Sequence, residues 1–243
     1  MARKATEEQF YDRTYQSGVL DTQNGFYEFS AGVLRYRDLI LSGCAGRRVL
    51  EYGCGLGGQA FALARNGAVV TGVDISEVAL AQARRRAAAE SLHALTFVKA
   101  DAEDLDLPNG SFDLVCGSGI LHHLNLSRAL PEVHLVLADG GRGVFYEPLG
   151  HNPLLNLYRR LTPGSHTPDE HPLLMGEIHA MQDVFETPRA EFFDLLSVFV
   201  IPILRLPGAK GLLRAAEWSD RRIFRLLPPL RAWGAVVVLE LRK

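Results

Sequence analysis

Residues 49–58 read Val49-Leu50-Glu51-Tyr52-Gly53-Cys54-Gly55-Leu56-Gly57-Gly58, an apolar run that ends on an acid and then falls into four glycines within six residues. The run predicts a strand over 48–52. The glycines predict a turn in which bare backbone can approach a ligand with no Cβ in the way. A helix-like stretch follows at 59–65.

The same alternation repeats downstream. Residues 68–74 form a Val-rich strand. Residues 77–90 are rich in Ala and Arg and read as a helix, with Ser76 as N-cap and Glu77 in the first turn. Strands are expected at 95–99 and 112–117, a helix at 126–137 stopped by Asp139-Gly140-Gly141, and a fifth strand at 143–147 ended by Pro148. Strands apolar on both faces with helices between them imply a parallel sheet covered on both sides, a doubly wound α/β fold. Beyond Pro148 the expectations are short helices at 154–161 and near 189–196, a strand at 196–201, a basic helical stretch over 202–231 and a closing strand at 234–241.

The 243 residues are 47% hydrophobic and 22% charged with a net charge of −2, which suits one globular domain with insertions and excludes a generic nucleic-acid binder. Three cysteines, Cys44, Cys54 and Cys116, match no zinc or CxxC spacing and are expected as reduced apolar residues of a cytoplasmic protein. MARKATEEQF carries charge without an apolar core, so no secretory leader is expected. The one metal-like cluster, His166, Asp169, Glu170 and His171, contains two prolines and lacks helical spacing; a solvated loop and no metal are expected.

Ligands of open parallel sheets bind at the carboxyl ends of the strands. A glycine turn alone is shared by many nucleotide binders. Glu51 discriminates among them, because a carboxylate beside the turn repels a pyrophosphate and suits a ligand with a cationic end, such as S-adenosylmethionine. Asp74, at the tip of the second strand, can accept from both ribose hydroxyls. Asp101 can accept from an adenine amino group, and Ala102 leaves room for the ring.

Together VLEYGCGLGG, VTGVDIS, KADAEDLDLP, FDLVCGSGILHHL and GRGVFYEP, in this order over about residues 47–148, resemble the class I S-adenosylmethionine-dependent methyltransferases of small-molecule type (types 11 and 25). The resemblance implies a Rossmann-like, seven-stranded, mostly parallel sheet whose last strand inserts antiparallel, with helical cap insertions. It implies that Glu51, Gly53, Cys54, Gly55 and Gly57 line the methionine end of S-adenosyl-L-methionine. Asp74 and Ile75 then meet the ribose and adenine, Asp101 and Ala102 the adenine, and Gly117 the space near the methyl group. The expected organisation is an N-terminal helical lid over 1–45, a cofactor-binding core over 46–148, and a C-terminal half over 149–243 with cap insertions at about 149–193 and 202–232.

Methyl transfer from a sulfonium needs alignment more than acid–base help, and a base matters only for a nucleophile that carries a proton. His122 and His123, about a third of a turn apart, are the candidate bases, with His122 favoured for the cleft and packing as the alternative. Glu147 and Tyr146 end the fifth strand, and His151 and Asn152 follow; these are candidates to orient substrate or to hold a proline-rich turn. The N-terminal aromatics Phe10, Tyr11, Tyr15, Phe26, Tyr27 and Phe29 read either as a cover over the site, with Tyr11 and Tyr15 touching substrate, or as packing. Residues 205–231 hold seven basic residues against Glu217 and Asp220, interleaved with leucines and Trp218. This is either a cap helix or a surface for a membrane or an anionic, greasy substrate. The acceptor is expected to be small or medium-sized, amphipathic, lipid-like or isoprenoid. The competing readings are methylation of RNA or protein and a membrane-associated cofactor-binding module without turnover.

Overall fold

A computed structural model describes residues 2–17, 30–162 and 171–243. Seven strands form one sheet: β1 (Arg48–Tyr52), β2 (Val69–Asp74), β3 (Leu95–Lys99), β4 (Phe112–Ser118), β5 (Leu137–Pro148), β6 (Arg189–Phe193) and β7 (Val236–Arg242), in the order β3-β2-β1-β4-β5-β7-β6. The first five are parallel, and β7 runs antiparallel to both β5 and β6. The helices are α1 (Ala2–Ser17), α2 (Ala31–Leu41), α3 (Gly58–Arg65), α4 (Glu77–Ala89), α5 (Leu126–Val136), α6 (Pro153–Leu161), α7 (Met175–Ala180) and α8 (Ala209–Leu226). This is the expected Rossmann-like, doubly wound architecture with an antiparallel β7.

Alternation along each strand feeds two apolar layers, one on each face. Val49, Val144, Tyr146, Val236 and Val238 pack on one side with Tyr36 and Ile40 of α2 and Phe61 of α3. Leu50, Phe145, Val237 and Leu239 pack on the other with Val133 of α5 and Phe185. Continuous apolar strands are what a sheet covered on both faces requires. Local signals set the helix starts: Ser76 accepts from Ala79 N–H at the head of α4, and Asn125 from Ser127 N–H at the head of α5.

Three expectations change. The sixth strand is Arg189–Phe193, where a helical turn was expected, and 196–201 winds into the 3-10 turns Ser197–Phe199 and Ile201–Ile203. The cause is Asp220 of α8. Its carboxylate gathers the N–H groups of Leu195, Leu196 and Ser197, which curls the chain, and Asp194 turns left-handed at φ 64° just before. Residues 189–193, within the expected first cap insertion, are thus strand. Second, β5 begins at Leu137, and Asp139-Gly140-Gly141 lies within it as an irregularity rather than a helix stop. Third, α2 is core, with Tyr36 and Ile40 fully buried, and among the described residues before β1 it is α1 that lines the cavity. Phe26, Tyr27, Phe29, His166, Asp169 and Glu170 lie outside the described residues. Among the described residues no helix is long and apolar enough to cross a membrane.

Candidate active site

The carboxyl ends of β1, β2 and β4 and the loop after β3 open onto one cavity with about 780 Å³ of empty space, part of it open to solvent. Its floor begins at the β1–α3 turn. Gly53 sits at φ +70°, and a Cβ there would come within 2.6 Å of the Ile120 side chain; a Cβ on Gly55, at φ +50°, would run into the Tyr15 hydroxyl. Only bare backbone fits between the β4 loop and α1. Asp74 fastens this turn: its Oδ2 accepts from Gly55 N–H at 2.7 Å and its Oδ1 from Ser76 N–H at 2.9 Å. Burial pushes its pKa up, against the pull of those two donors.

Glu51 does not face the cavity. It lies buried behind the turn, where its two oxygens accept from Gln59 N–H (3.1 Å) and Ala60 N–H (2.8 Å) in the first turn of α3. The acid at the end of β1 is thus a reach-across cap for a helix whose own N-cap, Gly57, has no side chain. Burial drives its pKa up to about 8, with the two backbone donors opposing.

Ile75, Asp101 and Ala102 line the next wall, and Ser118, Gly119 and Ile120 the one beyond. Tyr52 donates its hydroxyl to the Ala102 carbonyl and steadies that loop. The roof is α1. Its Lys4 ammonium pairs with Asp101 and, at 3.5 Å, with Glu103; Asp12 accepts from Ser76 Oγ at 2.5 Å; Glu8 meets Lys99 at 2.6 Å. Tyr11 and Tyr15 point down into the cavity with their rings 6.1 Å apart. Burial raises the Tyr15 phenol far above its ordinary range, which keeps it protonated.

The two histidines occupy the 3-10 turn Leu121–His123 and do different jobs. Glu147, fully buried, accepts from Ile120 N–H and Leu121 N–H, each at 2.9 Å, and meets His122 Nδ1 at 2.8 Å. That carboxylate fixes the turn. It holds the His122 ring, which does not line the cavity, contrary to the expectation that His122 faces it. His123 is the one that lines it, and its Nε2 lies 2.9 Å from Tyr11 Oη, rings edge to face. Glu147 is out of reach of the cavity and acts on it only through the turn.

Other candidates fall elsewhere. Cys54 is buried behind the turn, with its thiol pKa pushed up by burial. Gly57 abuts Phe97, and Gly117 is pinched between Ile120 and the Tyr52 carbonyl, so neither borders the cavity. Tyr146 points to the opposite face of the sheet from Phe145 and packs on Tyr36, ring centroids 6.1 Å apart, as a core residue rather than a substrate contact. Asn152 caps α6, accepting from Leu154 and Leu155 N–H and donating to the Trp233 carbonyl. His151 Nε2 accepts from Met175 N–H at 3.0 Å and so ties the turn before α6 to α7. Strand alternation and the N-cap preference of Asn, read strictly, signal the placements of Tyr146 and Asn152. Lys4, Glu7 and Glu103 line the cavity without having been singled out; Lys4 and Glu7 lie on a polar helix whose docking no local pattern reveals. Among the described residues no cluster of His, Cys, Asp and Glu is arranged to hold a metal.

Residues 49–141 match the family model described as "Methyltransferase domain". Among curated proteins, the chain is 39% identical over 134 residues to a demethylmenaquinone methyltransferase of Thermus thermophilus, covering 52% of this chain and 60% of that one. It is 30% identical over 126 residues to a ubiquinone biosynthesis O-methyltransferase of Acinetobacter baumannii, covering 51% and 53%. The matched region thus spans little more than half the length of these relatives. Among solved structures, the Haemonchus contortus phosphoethanolamine N-methyltransferase 2 in complex with S-adenosyl-L-methionine superposes with a TM-score of 0.69 at 20% identity, over 97% of this chain and 59% of that one. An S-adenosylmethionine-dependent methyltransferase from Mesorhizobium loti gives 0.60 at 22% identity, over 88% and 98%. At these identities the structural likeness shows the fold alone.

Proposed function

We propose, with residues 49–141 taken as a methyltransferase domain of the class I type, that this chain binds S-adenosyl-L-methionine and methylates a small or medium-sized amphipathic acceptor, an isoprenoid-bearing ring compound being the first choice. One observation carries the reading: the charge of the cavity. Asp74, Asp101, Glu103 and Glu7 line it against a single described cation, Lys4, which is already engaged by Asp101 and Glu103. Such a field repels phosphates and attracts a ligand that ends in an ammonium and a sulfonium.

The chain's residues fit that ligand. Asp74 offers its carboxylate to the ribose hydroxyls while its backbone bonds keep Gly55 in place. In this reading Asp101 and Ala102, which line the cavity, take the adenine edge and ring, and the turn at Gly53, which lines it, with Gly55 beside it under Tyr15, takes the amino-acid end. When bound, S-adenosylmethionine supplies a methyl group on a sulfonium whose leaving group is a neutral thioether. The protein's work is then alignment and exclusion of water, to which α1 contributes as a lid. Lys4 on Asp101 makes α1 a competitor for the adenine edge until the lid lifts. In this reading His123 Nε2, which lines the cavity and meets Tyr11 Oη, takes a proton from an acceptor hydroxyl, with Tyr11 orienting it.

The roofed cavity favours a compact acceptor head over a macromolecule, and relatives named for demethylmenaquinone and for ubiquinone biosynthesis support a ring-bearing amphipath. Cys44, Cys54 and Cys116, all free thiols, support a reducing, cytoplasmic setting. Calorimetry with S-adenosylmethionine, S-adenosylhomocysteine and NADH tests the cofactor; binding of NADH alone overturns it. Label transfer from methyl-labelled S-adenosylmethionine to prenylated hydroquinones, RNA and protein tests the acceptor; label in RNA or protein only overturns the small-molecule assignment.

A further inference from the structure

Helix α6 is mounted inside out. Its polar residues face the protein: Asn156 donates to the Gly150 carbonyl at 2.7 Å, and Arg159 donates to the Leu149 carbonyl at 3.1 Å and to Asn156 Oδ1 at 2.8 Å. Leu155 packs inward on the core, but the other large apolar residues face outward. Leu154, Leu157, Tyr158 and Leu161 lie within about 100° of one another around the axis, at the helical 100° per residue. They are 57%, 53%, 61% and 73% exposed, and the helix has no fully buried residue. A lone exposed leucine needs no explanation, but a whole apolar helix face turned to solvent does.

The neighbouring element repeats the arrangement. The Asn152 cap of α6 donates to the Trp233 carbonyl, and Arg231, in the same 3-10 turn, donates to the Phe224 carbonyl of α8. In α8 the stripe Leu213, Asp220 and Phe224 is buried, while Leu212, Trp218 and Leu226 lie exposed. Around them stand Arg214, Arg222 and Arg225, with Arg222 stacked 4.9 Å over the Trp218 ring. The acids of this helix, Glu217 and Asp220, sit on its inner side against β6. Apolar residues interleaved with arginines and bordered by indoles are the composition of a surface that enters a headgroup layer and pairs with anionic lipid.

We propose that α6, the Pro228–Trp233 turn and the outer side of α8 form one docking face for an anionic lipid surface. The face stands on the cavity's edge of the sheet. β5 ends at Pro148, α6 follows directly, and His171 N–H donates to the carbonyl of His122, beside the cavity-lining His123. A bilayer seated on α6 holds a lipid-borne acceptor beside the cavity mouth; this consequence, unlike the docking itself, rests on the proposed methyl transfer.

The test is vesicle flotation of the full chain without cofactor or acceptor, so that failure of docking and failure of cofactor binding are scored separately. The expected result is recovery with phosphatidylcholine–phosphatidylglycerol vesicles and little with phosphatidylcholine alone, weakened by salt. Leu157→Glu with Leu161→Glu, and separately Arg222→Glu with Arg225→Glu, are each expected to lower partitioning roughly tenfold or more, while circular dichroism and S-adenosylmethionine affinity stay at the parent's values. Equal flotation with neutral and anionic vesicles, unchanged partitioning of both double variants, or a dimer in sedimentation that Leu157→Glu dissolves would overturn the proposal, the last by naming a second copy as occupant.

Discussion

Tyr11 Oη and His123 Nε2 lie 2.9 Å apart, joining the roof helix to the floor of the cavity across more than a hundred residues of chain. The contact places one titratable nitrogen inside the cavity, next to a hydroxyl an acceptor can replace. His123→Ala is expected to lower kcat by about 10²- to 10⁴-fold, the usual yield of a positioned base, with cofactor affinity little changed. Tyr11→Phe should cost only about fivefold, one neutral hydrogen bond. Steady-state kinetics beside calorimetry separate the two, and an intact rate in His123→Ala would reduce the histidine to packing.

His122→Ala makes the opposite case. The ring touches Glu147 and not the cavity, so the variant leaves part of a fully buried carboxylate unpaired. The expectation is a stability loss of about 1–3 kcal/mol in denaturant titration, with a smaller change in kcat than His123→Ala gives. A kcat loss at full stability would return the base role to His122.

Asp74 holds Gly55 N–H and Ser76 N–H and fronts the cavity. Asp74→Ala removes charge-assisted hydrogen bonds worth about 1.5–3 kcal/mol each, so affinity for S-adenosylmethionine should fall at least tenfold by calorimetry. Unchanged affinity would refute the ribose assignment.

Glu51 offers a pH test. With its pKa raised to about 8 from 4.5, it is largely neutral at pH 7, and the stability this protonated form retains is lost as pH rises through 8. A cationic ligand nearby favours the ionised form, so binding should tighten between pH 7 and 9 and release protons. Calorimetry in two buffers of different ionisation enthalpy measures this directly. Glu51→Gln should release none.

Asp194 gives a second, independent pH dependence. Its carboxyl, buried among Ser197, Asp220 and Glu217, is raised to about 6 from 3.8, burial being the main cause. Stability from the protonated form is complete below 3.8 and lost as pH rises through 6, a penalty of roughly 3 kcal/mol at neutrality. Asp194→Asn keeps the left-handed backbone tolerable and should match the parent near pH 4 but exceed it near pH 7 in urea titration. Equal stability at both values would contradict this.

The apolar strands, the glycine turn, the capping Ser76 and the tip acids Asp74 and Asp101 were legible in the chain itself, because each is written in neighbours a few residues apart. So was the basic, amphipathic character of 205–231. What the chain could not disclose is direction. Glu51 turns away from the cavity because α3 lacks a capping side chain. His122 yields the cavity to His123 because Glu147, far along the chain, holds its ring. Residues 196–201 leave the sheet because Asp220 collects their N–H groups. Lys4 closes on Asp101, and α6 shows its leucines to solvent, only in the folded molecule. Periodicity and propensity are local energies and fix which elements exist and where they end. The facing of a side chain is settled by partners brought together across the sheet, and a buried carboxylate in want of donors decides it more firmly than any neighbour in sequence.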